Sequence, residues 1–506
     1  MRHARELLMR WMSVCVLAAS AWAAGAERSL PDPSASRDRL RDALTQALTG
    51  HQQTKAVLSA HVLDLDDGST LFELNADRPM MPASVMKLVV AAAAIDQLGA
   101  DFRFQTRLAV TDRDLVVIGD GDPTLGDERL SGAAGRRGDA VFQAWADALL
   151  GAGIREIPGR LLIDDSIFDA IFVHPHWPPN QYQEWYAAPI GGLNYADNCF
   201  EVVVTPATTG PLGLGVVPMN GFVRLVNQTA ADSRNRVAAR RARDATQVVV
   251  SGSSKSAARL GPIAVTDPGL FFAACLRSTL SKRGISIAGA TERVRMRDTR
   301  GVLDGNIRTI STHESPLSGA VVRACRDSLG MMAEGLLKRA GAGGASVGSW
   351  QTGSAAVAQF LRKQGISDDS FVIDDGSGLS RNNRLSARTV TTVLAAAQRA
   401  PGGGLLYESL ARPGRLGTLE RRLRTSDTRD RIRAKTGYIN GVRTLAGYVD
   451  SAGGHRLAFA FLYNGTATTL PLTRAQDAAC RILAHWPNDP PALAPPAASK
   501  APAKRR

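Results

Sequence analysis

An apolar run, Val89-Val90-Ala91-Ala92-Ala93-Ala94-Ile95, sets the first half of the chain in order. It follows Met81-Pro82-Ala83-Ser84-Val85-Met86-Lys87-Leu88 and closes at Leu98-Gly99. A helix apolar on every side is a buried helix. Pro82 suits its first turn, because proline has no N–H to lose there. Ser84 then sits at the helix start, and Lys87 at i+3 shares its face. Upstream, 39–48 has helical spacing at Leu40, Ala43, Leu44 and Leu48, behind a polar lead-in at 29–36. Residues 56–65 alternate, Asp66-Asp67-Gly68 turns, and 70–74 returns, which predicts a β-hairpin feeding the Ser84 helix. Downstream, 102–110 and 114–119 read as short strands, 119–123 as a loop, 139–150 as an amphipathic helix and 159–164 as a strand. Residues 200–205, 214–217, 222–227 and 246–251 read as mainly β. Helical texture returns at 316–324, 331–339, 354–364 and 387–397, with a Gly/Ala link at 340–345. A strand at 431–437, a hairpin at 444–450 and 456–463 and a helix at 472–486 complete the pattern. Similar β-plus-helix texture at both ends predicts one domain interrupted by a mainly β insertion.

Composition adds three things. At 506 residues, the chain exceeds one ordinary core, and 44% apolar with 21% charged residues describes a folded protein. The net charge of +14 fits attraction to anionic polymers or a membrane face, at most peripherally. Part of the excess lies at the two ends. No zinc-finger, RRM or helix-turn-helix pattern is present, which argues against a nucleic-acid partner. The N-terminus reads as a secretory leader: basic to Arg10, apolar from Trp11 to Ala23, small-x-small at Ala24-Gly25-Ala26. Cleavage near Ala26 predicts a periplasmic or otherwise secreted protein. Cys199, Cys275, Cys325 and Cys480 outside the leader permit three disulfide connectivities or four buried thiols. His174 and His176 lie in a Pro-rich loop with no carboxylate or cysteine at ligand spacing, so they read as surface residues and no metal site is expected. Arg234 to Arg243 reads as a solvated basic loop.

Ser84 and Lys87 carry the chemistry. A serine hydroxyl attacks only when a base takes its proton, and a desolvated lysine can be that base. The competing reading is an idle serine with a solvated lysine. The apolar surroundings of Lys87, and the absence of any other Ser-x-x-Lys, favour catalysis. Far downstream, Lys435-Thr436-Gly437 supplies a cation and a hydroxyl for a carboxylate, and a glycine that lets substrate approach.

Ser-x-x-Lys early and Lys-Thr-Gly late resemble the ordered motifs of the penicillin-binding proteins and serine β-lactamases. Gly119-Asp120-Gly121-Asp122-Pro123, Gly159 to Asp164, Asp375-Gly376-Ser377-Gly378-Leu379-Ser380-Arg381, Ala434-Lys435-Thr436-Gly437 and Leu445-Ala446-Gly447-Tyr448 sharpen this. The chain resembles the low-molecular-mass penicillin-binding proteins of the D-alanyl-D-alanine carboxypeptidase/endopeptidase type, over about 39–486. The resemblance implies an α+β fold: a β-lactamase/transpeptidase-like domain, with an antiparallel sheet flanked by helices, interrupted by accessory mainly β and α/β domains. The implied division is leader 1–26, catalytic domain 27–106 and 311–486, one accessory domain 107–129 and 208–310, another 130–207, and a disordered basic tail 487–506.

The resemblance also implies roles. Ser84 is the nucleophile, Lys87 its base, and Ser328 the proton relay to the leaving amine. Lys435, Thr436 and Gly437 bind the substrate's terminal carboxylate. The N–H groups of Ser84 and Tyr438 form the oxyanion hole, and Arg381 shapes the substrate end. The substrates are peptidoglycan stem peptides, β-lactams are covalent inhibitors, and no metal or organic cofactor is implied. Three positions depart from the family pattern. In Ser328-Leu329-Gly330, glycine replaces the asparagine of Ser-x-Asn. Tyr438 stands where Ser or Thr is common. Gln181 stands where relatives place an acid. These departures support a second reading, a weakly active or non-catalytic peptidoglycan binder. A β-lactamase or esterase of the same fold is a third reading, which the large insertion opposes.

Overall fold

The computed structural model describes residues 33–488 except 51–54, 233, 244, 298–305, 344–345 and 466–469. The expected leader and most of the expected tail lie outside these residues, as does part of the 340–345 link. Residues 487 and 488 are placed, and Pro487 O accepts a 2.9 Å bond from Ser36 Oγ.

The two ends of the chain build one antiparallel sheet. Its order is Ile432–Ile439, Val442–Asp450, Arg456–Asn464, Val57–Asp64, Thr70–Leu74. Alternation decides its faces. Leu457, Phe459 and Phe461 join the helices Pro33–Thr49 and Leu470–His485 on one side. Ala458, Ala460 and Leu462 face the other, against Met86–Leu98 and Ala387–Arg399. The small alanines let those helices approach closely. Helix Met86–Leu98 is buried at every position from Met86 to Ile95, as its uniformly apolar sequence requires. It ends at Gly99, whose φ of +88° suits glycine.

The insertion leaves and rejoins at adjacent points. Arg103–Val110 pairs antiparallel with Arg308–Pro316, so that Arg103 faces Pro316. Leu115–Ile118, Leu161–Asp164 and Thr291–Arg293 complete this second five-stranded sheet, partly in parallel. Helices Ala140–Gly151 and Pro268–Lys282 cover it. Two three-stranded sheets lie within the insertion, one from Cys199–Thr205, Gly213–Val217 and Ala258–Ala264, the other from Arg224–Ala230, Ala238–Arg241 and Gln247–Ser253. The 106/107 division falls inside Arg103–Val110, and 207/208 falls between the paired strands Cys199–Thr205 and Gly213–Val217.

One other expectation changes, and one open alternative is decided. The basic segment 234–243 contributes the strand Ala238–Arg241, and Arg241 is buried. Its guanidinium donates to Tyr182 O at 2.7 Å, and Tyr182 Oη donates back to Arg241 O at 2.9 Å. The four cysteines are buried, free thiols. No helix among the described residues is long and apolar enough to cross a membrane.

Candidate active site

Ser84 lies in a 3₁₀ turn, Ala83–Val85, that runs straight into the helix Met86–Leu98. Ala83 has φ +45°, a left-handed conformation that costs an alanine roughly 1–3 kcal/mol. The surrounding strands hold it there: Thr444 Oγ1 donates to Pro82 O at 2.8 Å. Lys87 is only 2% exposed. Its Nζ donates to Ser84 Oγ at 3.0 Å and to Ser377 O at 2.5 Å. Burial pulls its pKa down to about 8, against the opposing pull of Asp375 and Glu334. A neutral lysine can accept the serine proton, and a charged one cannot. Acylation by a β-lactam is therefore expected to speed up as pH rises through about 8, measured by stopped-flow. A rate flat from pH 7 to 9 would contradict the role of Lys87.

The second serine–lysine pair faces the first. Ser328, φ +65°, links helices Leu317–Arg326 and Gly330–Ala340. Lys435 Nζ donates to Ser328 Oγ at 2.7 Å and to Thr436 O at 2.6 Å. Burial, then the charge of Lys87, push Lys435 well below the usual lysine range. Gly437 passes against Ser84: a Cβ there would lie 2.1 Å from Thr444 Oγ1 and 3.1 Å from Ser84 N. Tyr438 is 57% exposed at the rim, with the Arg443 guanidinium 5.8 Å from its ring centre. Arg381 reaches the same strand end, donating to Asn440 O at 2.8 Å. Gln181 is not drawn into this cluster by any described contact; its Oε1 is buried without a partner.

The loop that supplies Ser377 O has its own scaffold. Glu334, fully buried, accepts from Gly376 N at 2.9 Å, Ser377 N at 2.7 Å and Trp350 Nε1 at 2.8 Å. Burial and then Asp375 push Glu334 up to about 7, while its three N–H donors favour the carboxylate. Asp375 accepts from Gly378 N, Ser380 N, Asn383 Nδ2 and, at 2.8 Å, Trp177 Nε1. Trp177 belongs to the insertion, so the insertion braces the loop that orients Lys87. Sequence reading assigned no role to Glu334, Asp375 or Trp177.

Gly330 has a structural reason. A Cβ there would lie 2.8 Å from Tyr186 O, a backbone atom. The carbonyl of the insertion fills the space an asparagine needs. Restoring the family residue by Gly330→Asn is therefore expected to lower stability by about 1–3 kcal/mol and to leave acylation no faster. Denaturant melts and penicillin acylation rates measure both; a faster variant would contradict the packing argument.

His176 is exposed as expected, and His174 departs from expectation. A carboxylate does reach them: His176 Nδ1 lies 3.0 Å from both oxygens of Asp374, and His174 is buried. His174 Nδ1 accepts the His176 N–H at 3.2 Å, so in the neutral ring Nε2 carries the proton. That nitrogen faces Asp374, 4.0 Å away, as a donor and offers no lone pair.

A hydroxyl set against a buried amine at a helix start, beside a sheet-edge Lys-Thr-Gly, is how the serine enzymes of the β-lactamase/transpeptidase fold are built. The match extends over most of the chain: the D-Ala-D-Ala carboxypeptidase 3 (S13) family model covers residues 40–485, and the chain belongs to that family of peptidases. A D-alanyl-D-alanine carboxypeptidase of Actinomadura sp. (strain R39) is 31% identical, over 91% of this chain and 88% of that one. The D-alanyl-D-alanine carboxypeptidase DacB of Haemophilus influenzae is 26% identical, over 80% of this chain and 85% of its own length. The crystal structure of penicillin binding protein 4 (dacB) from Haemophilus influenzae shares the fold at a TM-score of 0.71. It is 23% identical and covers 88% of this chain and 99% of that one.

Proposed function

We propose that the chain is a serine-type D-Ala-D-Ala carboxypeptidase, DD-endopeptidase or both, acting on peptidoglycan stem peptides through an acyl-enzyme at Ser84. The observation that carries this is the 3.0 Å bond from the buried Lys87 Nζ to Ser84 Oγ. Neutral Lys87 takes the hydroxyl proton as Ser84 attacks the carbonyl of the penultimate D-alanine. The N–H groups of Ser84 and Tyr438 hold the oxyanion. Ser328, bonded to Lys435, passes a proton to the departing amine, and water then hydrolyses the ester. Lys435, Thr436 and Gly437 receive the terminal carboxylate, and Arg381 borders that end. β-Lactams acylate Ser84 as substrate mimics. A leader ending near Ala26 places this work outside the cytoplasm.

Gly330 favours a slow enzyme. Loss of one polar contact to substrate typically costs about 1–3 kcal/mol, about ten- to a hundredfold in rate. The purified protein is expected to label covalently with a fluorescent penicillin and to release D-alanine from pentapeptide. Ser84→Ala is expected to abolish both. Labelling that survives in Ser84→Ala would sink the nucleophile assignment. Labelling without D-alanine release would favour the non-catalytic binder.

A further inference from the structure

The antiparallel sheet built by the two ends of the chain has one end far from Ser84, and two turns meet there. Asp64-Leu65-Asp66-Asp67-Gly68-Ser69 carries the chain from Val57–Asp64 to Thr70–Leu74. Residues 451–455 carry it from Val442–Asp450 to Arg456–Asn464. Asp64 is paired with Leu457, and Leu65 N donates to Arg456 O at 2.9 Å, so His455 stands beside the acidic turn. Ser84 lies by the other end of that strand, where Asn464 Oδ1 accepts from Met81 N at 2.8 Å. The strand has 9 residues, which separates its two ends by roughly 30 Å.

Three side chains converge between the turns. His455 Nδ1 lies 2.8 Å from Asp64 Oδ2 and 3.6 Å from Asp66 Oδ2, and the three atoms are within 4.8 Å of one another. The Asp64 side chain is 2% exposed. Its Oδ1 accepts from Asp66 N at 3.0 Å, whereas its Oδ2 accepts no hydrogen bond among the described residues. His455 Nδ1 is likewise buried without a hydrogen-bond partner, although Asp64 Oδ2 is so near. At that distance a hydrogen bond fails only through direction, so the oxygen lies well to the side of the nitrogen's lone-pair axis. Among the described residues no lysine or arginine side chain pairs with Asp64 or Asp66. Arg456 and Arg37, on the adjoining segments, are engaged by Asp450 at 2.7 Å and Asp67 at 3.2 Å. A nearly buried carboxylate without a fixed cation is costly.

A bound cation accounts for both features. Two ligand atoms about 2.1 Å from one ion and about 90° apart lie about 3 Å from each other, each off the other's lone-pair axis. The 2.8 Å pair has that spacing, and the 3.6 Å pair opens the angle further. The charges of Asp64 and Asp66 balance a divalent ion. One imidazole nitrogen with two carboxylates favours a transition cation over Mg²⁺ or Ca²⁺, which take oxygen ligands. Asp66 is exposed and His455 partly so, which leaves the remaining coordination positions open to solvent.

We propose that Asp64, Asp66 and His455 bind a divalent transition cation of the Zn²⁺ class, and that this ion staples the first hairpin of the chain to the last. Its ligands come from opposite ends of the sequence, so the ion holds the sheet's two terminal segments together. The site is too far from Ser84 to touch a substrate there, and its effect is on stability.

The test uses the full chain without a histidine tag, stripped with EDTA and dialysed, and Zn²⁺ as the probe. Isothermal titration is expected to show one Zn²⁺ bound per chain. Saturating Zn²⁺ is expected to raise the melting temperature by about 5 °C. His455→Gln and Asp64→Asn each remove a ligand with little change in size. Each is expected to weaken binding at least about tenfold and to abolish the rise. Metal-free melts show that the variants fold, and two variants on separate turns guard against loss of one. Mg²⁺ at the same concentration is expected to give no comparable rise. A wild type that binds no Zn²⁺ overturns the proposal and leaves His455 as a plain ion-pair partner of Asp64. Binding that persists undiminished in both variants places the ion elsewhere and overturns it. An equal rise with Mg²⁺ shows charge screening of the acidic turn and overturns it too.

Discussion

Gly378→Ala is expected to slow β-lactam acylation of Ser84 at least about a hundredfold. Gly378 has φ +78°, where an added side chain is strained. Its Cβ would lie 1.8 Å from Ala83 O and 3.1 Å from Ser84 N. Both obstacles are backbone atoms, so no flexible side chain can yield. Either the Ser84 turn moves or the 375–380 loop moves. The first displaces the nucleophile. The second carries Ser377 O away from Lys87 Nζ, which loses its 2.5 Å acceptor. Misplacement of a reacting group by about 1 Å can cost on the order of a hundredfold. Stopped-flow acylation measures the rate, and a thermal melt shows that the variant still folds. A folded variant acylating within threefold of wild type defeats this account of the loop.

Glu334→Gln is expected to destabilise the protein by about 2–4 kcal/mol, although it changes one atom. The two carboxylate oxygens share three N–H donors, Trp350 and Gly376 on Oε2 and Ser377 on Oε1. A carboxylate only accepts; an amide offers one accepting oxygen and an NH₂ group. Whichever way the variant's amide turned, its NH₂ would face an N–H that it cannot satisfy. Burial leaves no water to repair the loss. Urea melts give the stability difference, and Trp350→Phe, which removes one donor, is expected to cost about 1 kcal/mol. Equal losses in the two variants would contradict the shared-donor argument.

The candidate site residues were readable because they sit in short, local patterns. Ser84 and Lys87 are one helical turn apart, and Lys435-Thr436-Gly437 is contiguous. The helices and hairpins were readable for the same reason: their apolar periods are local. What escaped reading depends on distance or on backbone conformation. The acceptor that orients Lys87 is a main-chain oxygen 290 positions away. Asp374 reaches His176 across 198 positions. The left-handed Ala83 and Ser328 carry no compositional mark, since neither is a residue that prefers that conformation. Parallel pairing within the insertion, such as Leu115–Ile118 with Leu161–Asp164, leaves no turn signal between partners and so no local mark in the sequence. The glycine at 330 read as a missing function; its packing reason, Tyr186 O, belongs to a different part of the chain.

The catalytic sheet also sets a timetable. Val57–Asp64 lies between Thr70–Leu74 and Arg456–Asn464, so one of its neighbours comes almost last in the chain. The insertion closes on itself at Arg103 and Pro316 and is available to fold long before that neighbour exists. Lys87 is dried by groups that also arrive after the insertion, Ser377 and the strand bearing Lys435. Until they dock, its amine is solvated, protonated at neutral pH and useless as a base. If Ser84 and Lys87 act as proposed, a nascent chain carries the pair in a latent form, and competence arrives only when the C-terminal strands close the sheet.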